Sequence, residues 1–427
     1  MSNQESTGEY VKIDGEQFYK ISNNDSIRPF FMTIVSPSDH WLFIASNGGM
    51  TAGRKNAGSS LFPYYTDDKI IDLADITGSK TIVRFDDKNQ RFWEPFSERN
   101  VGENIARNLY KNRIGNKVIF EEIHRTHGLS FQYMWTFSEK FGFVKRASIK
   151  NTGDTPIPFE ILDGVQNVLP YGVDTDLQAS RSTLVDAYKK CELDNASGMG
   201  IYSLSAMIVD RAEPSESLSC TTIWSTGLNR EKTLLSSTQL KSFRLGNTIK
   251  HEHDVRAEKG AYFLSAKLAL AAKEETTWFT ICEVNQNHAD VINLKAQIEN
   301  ESSLVHELTE DIANTTTDLK KLVAKADGLQ KTNDDLSTGR HFSNVLFNIM
   351  RGGIFDDQYC IYRSDYEPHI ASMNKNVYEN NIAFFQNLDD ELELKSFIQL
   401  VSDQGDVDLL RLTNEYLPLF FSRRHGD

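Results

Sequence analysis

Apolar and polar residues alternate through the first two-thirds of the chain. TIVRF (81–85), KVIFEEIH (117–124), LSFQYMWTF (129–137), FGFVKRASIK (141–150) and TWFTICEV (277–284) are rich in β-branched and aromatic residues. Several of them set every second side chain on one apolar face, the signature of strands with a buried side. Turn chemistry separates them at SNGG (46–49), NTGD (151–154), LDNASG (193–198) and LGN (245–247). Many short strands with turns between them predict a β-sandwich or barrel, and residues 1–288 are long enough for a sandwich of double size.

The period changes at about residue 289. With Val291 at a heptad a position, the a series runs Val291, Ile298, Val305, Ile312, Leu319, Ala326 and Asn333. The d series runs Leu294, Glu301, Leu308, Thr315, Leu322, Leu329 and Leu336, so most of both series is Val, Ile, Leu or Ala. A continuous helix over this stretch would be about 70 Å long. Gly328 and Thr338-Gly339-Arg340 are expected to interrupt or end it. The expected reading is helices packed on the chain's own sandwich, with a dimerising coiled coil as the alternative, since the repeat alone does not identify the partner. Residues 341–427 read as further helices: one ends at Gly352-Gly353, one opens at a capping-box pattern at Ser364, and two fit 391–403 and 406–417. The expected domains are therefore a β-super-sandwich (1–288), a heptad-patterned helical linker (289–340) and a helical segment (341–427), a mainly β fold with a helical C-terminal third.

Composition narrows the function. Of 427 residues, 46 are Lys or Arg and 60 are Asp or Glu, a formal charge of −14 that argues against a nucleic-acid groove. Cys191, Cys220, Cys282 and Cys360 are far apart, with no CxxC pair, so neither a disulfide framework nor a zinc ribbon is expected. The start, MSNQESTGEY, has no basic and no apolar region of a signal peptide, and no window approaches the roughly 20 apolar residues of a membrane span. A cytoplasmic location is the expectation.

Three constellations bear on chemistry. WLFIASNGGMTAGRKNAGSSLFPYYTDDKI (41–70) carries Asn47-Gly48-Gly49, then Arg54, then aromatics and Asp67-Asp68. Glycines let a backbone approach a ligand, and rings beside carboxylates and amides suit sugars; a long hairpin loop with ordinary turn residues is the plainer alternative. His251-Glu252-His253 with Glu258 has the spacing to share a metal from a strand, but its polar surroundings fit a solvated hairpin edge better. His124 and His127, three apart, would face opposite ways on a strand. Arg423, Arg424 and His425 could hold a phosphate or contact another domain. GxGxxG, GxxxxGK[ST], GxSxG and HExxH are missing, so no catalytic or metal residue is assigned.

Residues 28–160 resemble the N-terminal sandwich of the cellobiose phosphorylase-like enzymes, glycoside hydrolase family 94. FIASNGGM (43–50) resembles the family's strand and Ser-Asn-x-Gly-Gly turn. TIVRFDDKNQRFWEPF (81–96) resembles its arginine-to-aspartate strand followed by a Trp-x-Pro element, here Trp93-Glu94-Pro95. HGLSFQYMW through VKRASIKNTGDTPIPFEI (127–161) resembles its His-Gly start and the strands that follow. Met50 and Thr51 stand where the family has a third glycine and an aromatic. The resemblance implies a galactose-mutarotase-like super-sandwich, a helical linker and an (α/α)6 barrel that carries the catalytic Asp and most of the phosphate site. It further implies inverting phosphorolysis with inorganic phosphate as co-substrate, no other cofactor, and a homodimer. About 90 residues follow the linker here, too few for that barrel, so truncation within a larger protein is expected.

The resulting expectation is a non-catalytic N-terminal region that supports a barrel and oligomerisation, with sugar contact through Asn47, Gly48, Gly49, Arg54 and Trp93. The alternatives are an aldose epimerase on the sandwich, which needs His and carboxylate together, and a coiled-coil interaction protein.

Overall fold

The computed structural model describes residues 5–85, 91–100, 104–209, 215–299, 303–352, 354–355, 360–416 and 419–420. They form two compact units, Met1–Leu319 and Lys320–Arg423.

The first unit is built on an eleven-stranded sheet. Its central strands are Ile105–Asn112, Val118–His124, Leu129–Ser138, Gly142–Asn151 and Glu275–Asn287, antiparallel neighbours in that order. Facing it is a five-stranded sheet centred on Ile157–Val168, which pairs with Gly260–Leu270 on one side and Gly78–Phe85 on the other. A four-stranded meander, Phe31–Ile34, His40–Ala45, Met50–Arg54 and Ser60–Phe62, completes the β body. Phe131, Trp135, Phe143, Ile161, Val165 and Trp278 meet in one buried core between the sheets.

Alternation explains why the strands read so clearly, and why some read as continuous apolar runs. In Glu275–Asn287, Trp278 and Cys282 point into the main core, while Phe279 and Ile281 point to the opposite face. That outer face is covered too. Ile298 of the helix His288–Glu299 and Leu304, Leu308 and Ile312 of the helix Leu304–Lys325 pack there with Val144 and Trp224. The heptad stretch as far as Ile312 thus lies on its own sheet, and the whole stretch is divided among three helices rather than one. At the start of the second helix Leu304 is buried and the heptad position Val305 exposed, but Leu308, Ile312, Leu319 and Leu322 are buried at the expected d and a positions. Gly328 falls in a break, but Thr338-Gly339-Arg340 lies inside the helix Asp335–Gly352, contrary to expectation. Gly339 has helix on both sides, so its weak propensity is outweighed by its neighbours.

In the second unit, short helices surround Ile361, Tyr366, Ile370, Phe385, Phe397 and Leu409. The helices Leu394–Asp403 and Val407–Glu415 fall within the spans expected for them. The capping box at Ser364 does not form. The helix Arg363–Met373 begins one residue earlier, and Glu367 instead accepts the Tyr378 hydroxyl at 2.8 Å. The chain is mainly β with a helical C-terminal portion, and no described helix is long and apolar enough to cross a membrane.

Candidate functional site

A cleft of about 930 Å³ opens in the β body beside the turn of the four-stranded meander. Arg107, Phe120 and Tyr133 contribute its floor from adjacent strands of the large sheet. Ser79, Lys80 and Thr81 enter from the five-stranded sheet, and Asn47 and Gly48 from the turn between His40–Ala45 and Met50–Arg54.

The glycines of that turn have separate reasons. Gly48 has φ +91°, a conformation that L side chains rarely adopt, and a Cβ there would lie 2.9 Å from the Tyr133 hydroxyl. A Cβ on Gly49 would lie 2.1 Å from the Ile70 carbonyl oxygen, in the helix Asp67–Asp72. Asn47 completes the join: its Nδ2 donates to the Ile71 carbonyl at 3.0 Å, and its Oδ1 accepts from the Gly49 amide at 3.2 Å. The Asn-Gly-Gly motif therefore clasps a short helix while placing Asn47 and Gly48 on the cleft.

Arg54 and Trp93 lie elsewhere. Arg54, at the far end of the same hairpin, donates to Asp39 at 2.7 Å and to Glu283 at 2.8 Å, with Glu139 at 3.5 Å. Trp93 is 0% exposed and donates its indole N–H to Glu122 at 2.7 Å, so its ring offers no face to a ligand. The two were expected at a sugar site because sequence proximity cannot tell the ends of a strand apart, nor inner from outer faces. Arg423, Arg424 and His425 lie outside the described residues.

Sequence reasoning missed Phe96 and Tyr133. Phe96 follows the Trp-Glu-Pro element and is held at φ +65°, rare for a bulky residue and a form of local strain. Its amide donates to the Glu122 carboxylate at 2.7 Å, which fixes the half-buried ring against Tyr133, centroids 5.2 Å apart. Tyr133 stacks on Phe120 at 4.9 Å. The signal was present, an aromatic after Pro95 and an aromatic-rich strand, but only folding brings them together.

Charges around the cleft are tightly paired. Glu94 takes a bidentate Arg244 at 2.7 and 2.9 Å and Lys80 at 2.8 Å. Burial opposes its ionisation, yet Arg244 and Lys80 outweigh it and hold the carboxyl below its usual range. Lys80 also meets Asp75 at 2.7 Å, and Arg107 donates to Glu122 and to the Ser97 carbonyl, both at 2.7 Å. Beneath the floor, Lys145 and Asp163 form an ion pair at 2.8 Å with both side chains 0% exposed. Asp163 is completed by Thr81 at 2.6 Å and Trp278 at 2.8 Å, so the buried charge is fully hydrogen-bonded.

The histidines His40, His124 and His127 do not converge on the cleft. His40 is buried against Phe137 and Phe143, its pKa driven well below the ordinary value by burial and by Arg54. His124 and His127 do meet, at 4.2 Å, because His127 sits in the turn that follows the strand rather than on it. None of the three lines the cleft. His251 and His253 stack edge-on at 4.4 Å, but Glu252 is spent on the amides of Leu235 and Ser236. Among the described residues no cluster of His, Cys, Asp or Glu could hold a metal ion.

Residues 355–418 match the profile of glycoside hydrolase family 149 insertion domain 1. No curated protein matches the chain. Solved structures similar in shape include a bacterial glucoamylase complexed with acarbose, 9% identical, TM-score 0.38, over 88% of this chain and 50% of that one. A protein from the human microbiome assigned as a kojibiose phosphorylase is 9% identical, TM-score 0.33, over 62% and 30%. A galactose mutarotase-like protein from Clostridium acetobutylicum is 8% identical, TM-score 0.30, over 66% and 99%. The chain thus spans half of the glucoamylase and less than a third of the phosphorylase, and its helical C-terminal unit carries a segment matching an insertion domain of a glycoside hydrolase family.

Proposed function

We propose that this chain is the non-catalytic N-terminal region of a carbohydrate-active enzyme of the glycoside hydrolase and phosphorylase kind, as the family 94 resemblance implies. Its β body supports a catalytic barrel, promotes homodimerisation and contacts carbohydrate at the cleft. Inorganic phosphate is the co-substrate of the parent enzyme, acting at the barrel rather than here, and the setting is the cytoplasm.

The observation that carries this reading is the insertion-domain match over residues 355–418, which ties the helical unit to a family of carbohydrate chemistry. The cleft supports it independently: aromatic rings, amides and carboxylates converge there, as a sugar requires. The test incubates the full chain with phosphate and cellobiose or related disaccharides. No phosphate consumption above a denatured control is expected; clear turnover would place catalysis within this chain and overturn the proposal.

A further inference from the structure

The cleft holds an asymmetry that names its ligand. Tyr133 is only 3% exposed, yet its hydroxyl lines the cleft beside Gly48 and has no hydrogen-bond partner among the described residues. That oxygen is not sealed from solvent, so it opens on the cavity and can pair with a group that arrives from outside. Phe96, wedged beside it in a strained backbone, supplies a half-buried aromatic face. Strain of that kind persists where the surrounding structure enforces it, here through Glu122 on the Phe96 amide.

The charges exclude one class of ligand. Asp25, Asp72, Asp75 and Glu98 line the cleft, against the cations Lys80 and Arg107. Lys80 is committed to Asp75 and Glu94, and Arg107 to Glu122 and the Ser97 carbonyl. An arriving phosphate or carboxylate would find no uncommitted cation among the described lining residues, and a surplus of like charge among them. A neutral polyol meets none of this repulsion and can donate its hydroxyls to the carboxylates.

We propose that the cleft binds an uncharged glycosyl unit, its C–H face against Phe96 and one hydroxyl on Tyr133, and that it rejects phosphorylated sugars. The inference rests on the carbohydrate contact proposed above and specifies its ligand. Phosphate chemistry therefore does not take place at this cleft.

Saturation-transfer NMR on the full chain tests it with α- and β-linked glucose disaccharides, cellobiose among them, and with glucose 1-phosphate. At least one neutral disaccharide should bind, with glucose 1-phosphate roughly tenfold or more weaker. Tyr133→Phe should weaken neutral binding about fivefold, the scale of one hydrogen bond. Phe96→Gly, which tolerates the positive φ while removing the ring, should abolish it; a melting curve checks that each variant folds, and Tyr133→Phe decides if Phe96→Gly does not. Equal or tighter binding of glucose 1-phosphate, or unchanged affinity in the folded variants, overturns this inference and leaves carbohydrate contact standing. If no sugar binds, carbohydrate contact at the cleft fails with it.

Discussion

The hairpin of His40–Ala45 and Met50–Arg54 ends in two opposite chemistries. At its turn, Asn47 and Gly48 face a cleft where the Tyr133 hydroxyl has no partner among the described residues. At its open end, Arg54 gathers Asp39, Glu139 and Glu283. Beside it His40 is held by Ser38, Phe137 and Phe143. Ion pairs bind the meander to the large sheet at one end; the cleft at the other end leaves room for a ligand. The same secondary structure does both, because one end is closed by ion pairs and the other opens on the cleft.

The largest way to break this contrast is Arg54→Met. It leaves Glu283 buried without its counter-charge, a loss of about 3–5 kcal/mol in urea unfolding near pH 8. The loss should shrink at pH 5, where the carboxyl is protonated; equal losses at both would mean that Glu283 is not the group left behind.

Next is the pH dependence of Glu283 itself. Burial raises its pKa to about 7 from the usual 4.5, with Arg54 only partly offsetting this. Between those values the folded chain holds a proton that the unfolded chain has lost. Stability therefore falls as pH rises from about 4.5 to about 7 and is level above, the linkage being worth up to about 3 kcal/mol. Glu283→Gln should remove that part of the slope in urea midpoints measured between pH 5 and 8. The same slope in wild type and variant would assign it to other groups.

Gly49→Ala is the smallest of the three and acts at the turn. Its methyl would press on the Ile70 carbonyl, costing about 1–3 kcal/mol and loosening the helix Asp67–Asp72 that borders the cleft. Thermal melting and disaccharide affinity should both drop; a melt unchanged from wild type would show that the helix yields freely.

The chain's own pattern was enough for much of this molecule. The expected strands formed because alternation and β-branched or aromatic content are local properties, and Asn-Gly-Gly marked a turn because glycine at positive φ is local too. Heptad spacing identified helices but not their partner, since a sheet face and a second helix present similar apolar surfaces. The tertiary fold decided the rest. Trp93 and Phe96 are three residues apart, yet one is sealed in the core and the other borders the cleft. Arg54 and Gly48 share a hairpin but serve opposite ends of it. Tyr133 became a candidate ligand group only when a turn 85 positions earlier in the chain came to rest against its hydroxyl. Sequence spacing sets which face of a strand a side chain takes; it does not set what the other layers of the molecule place opposite that face.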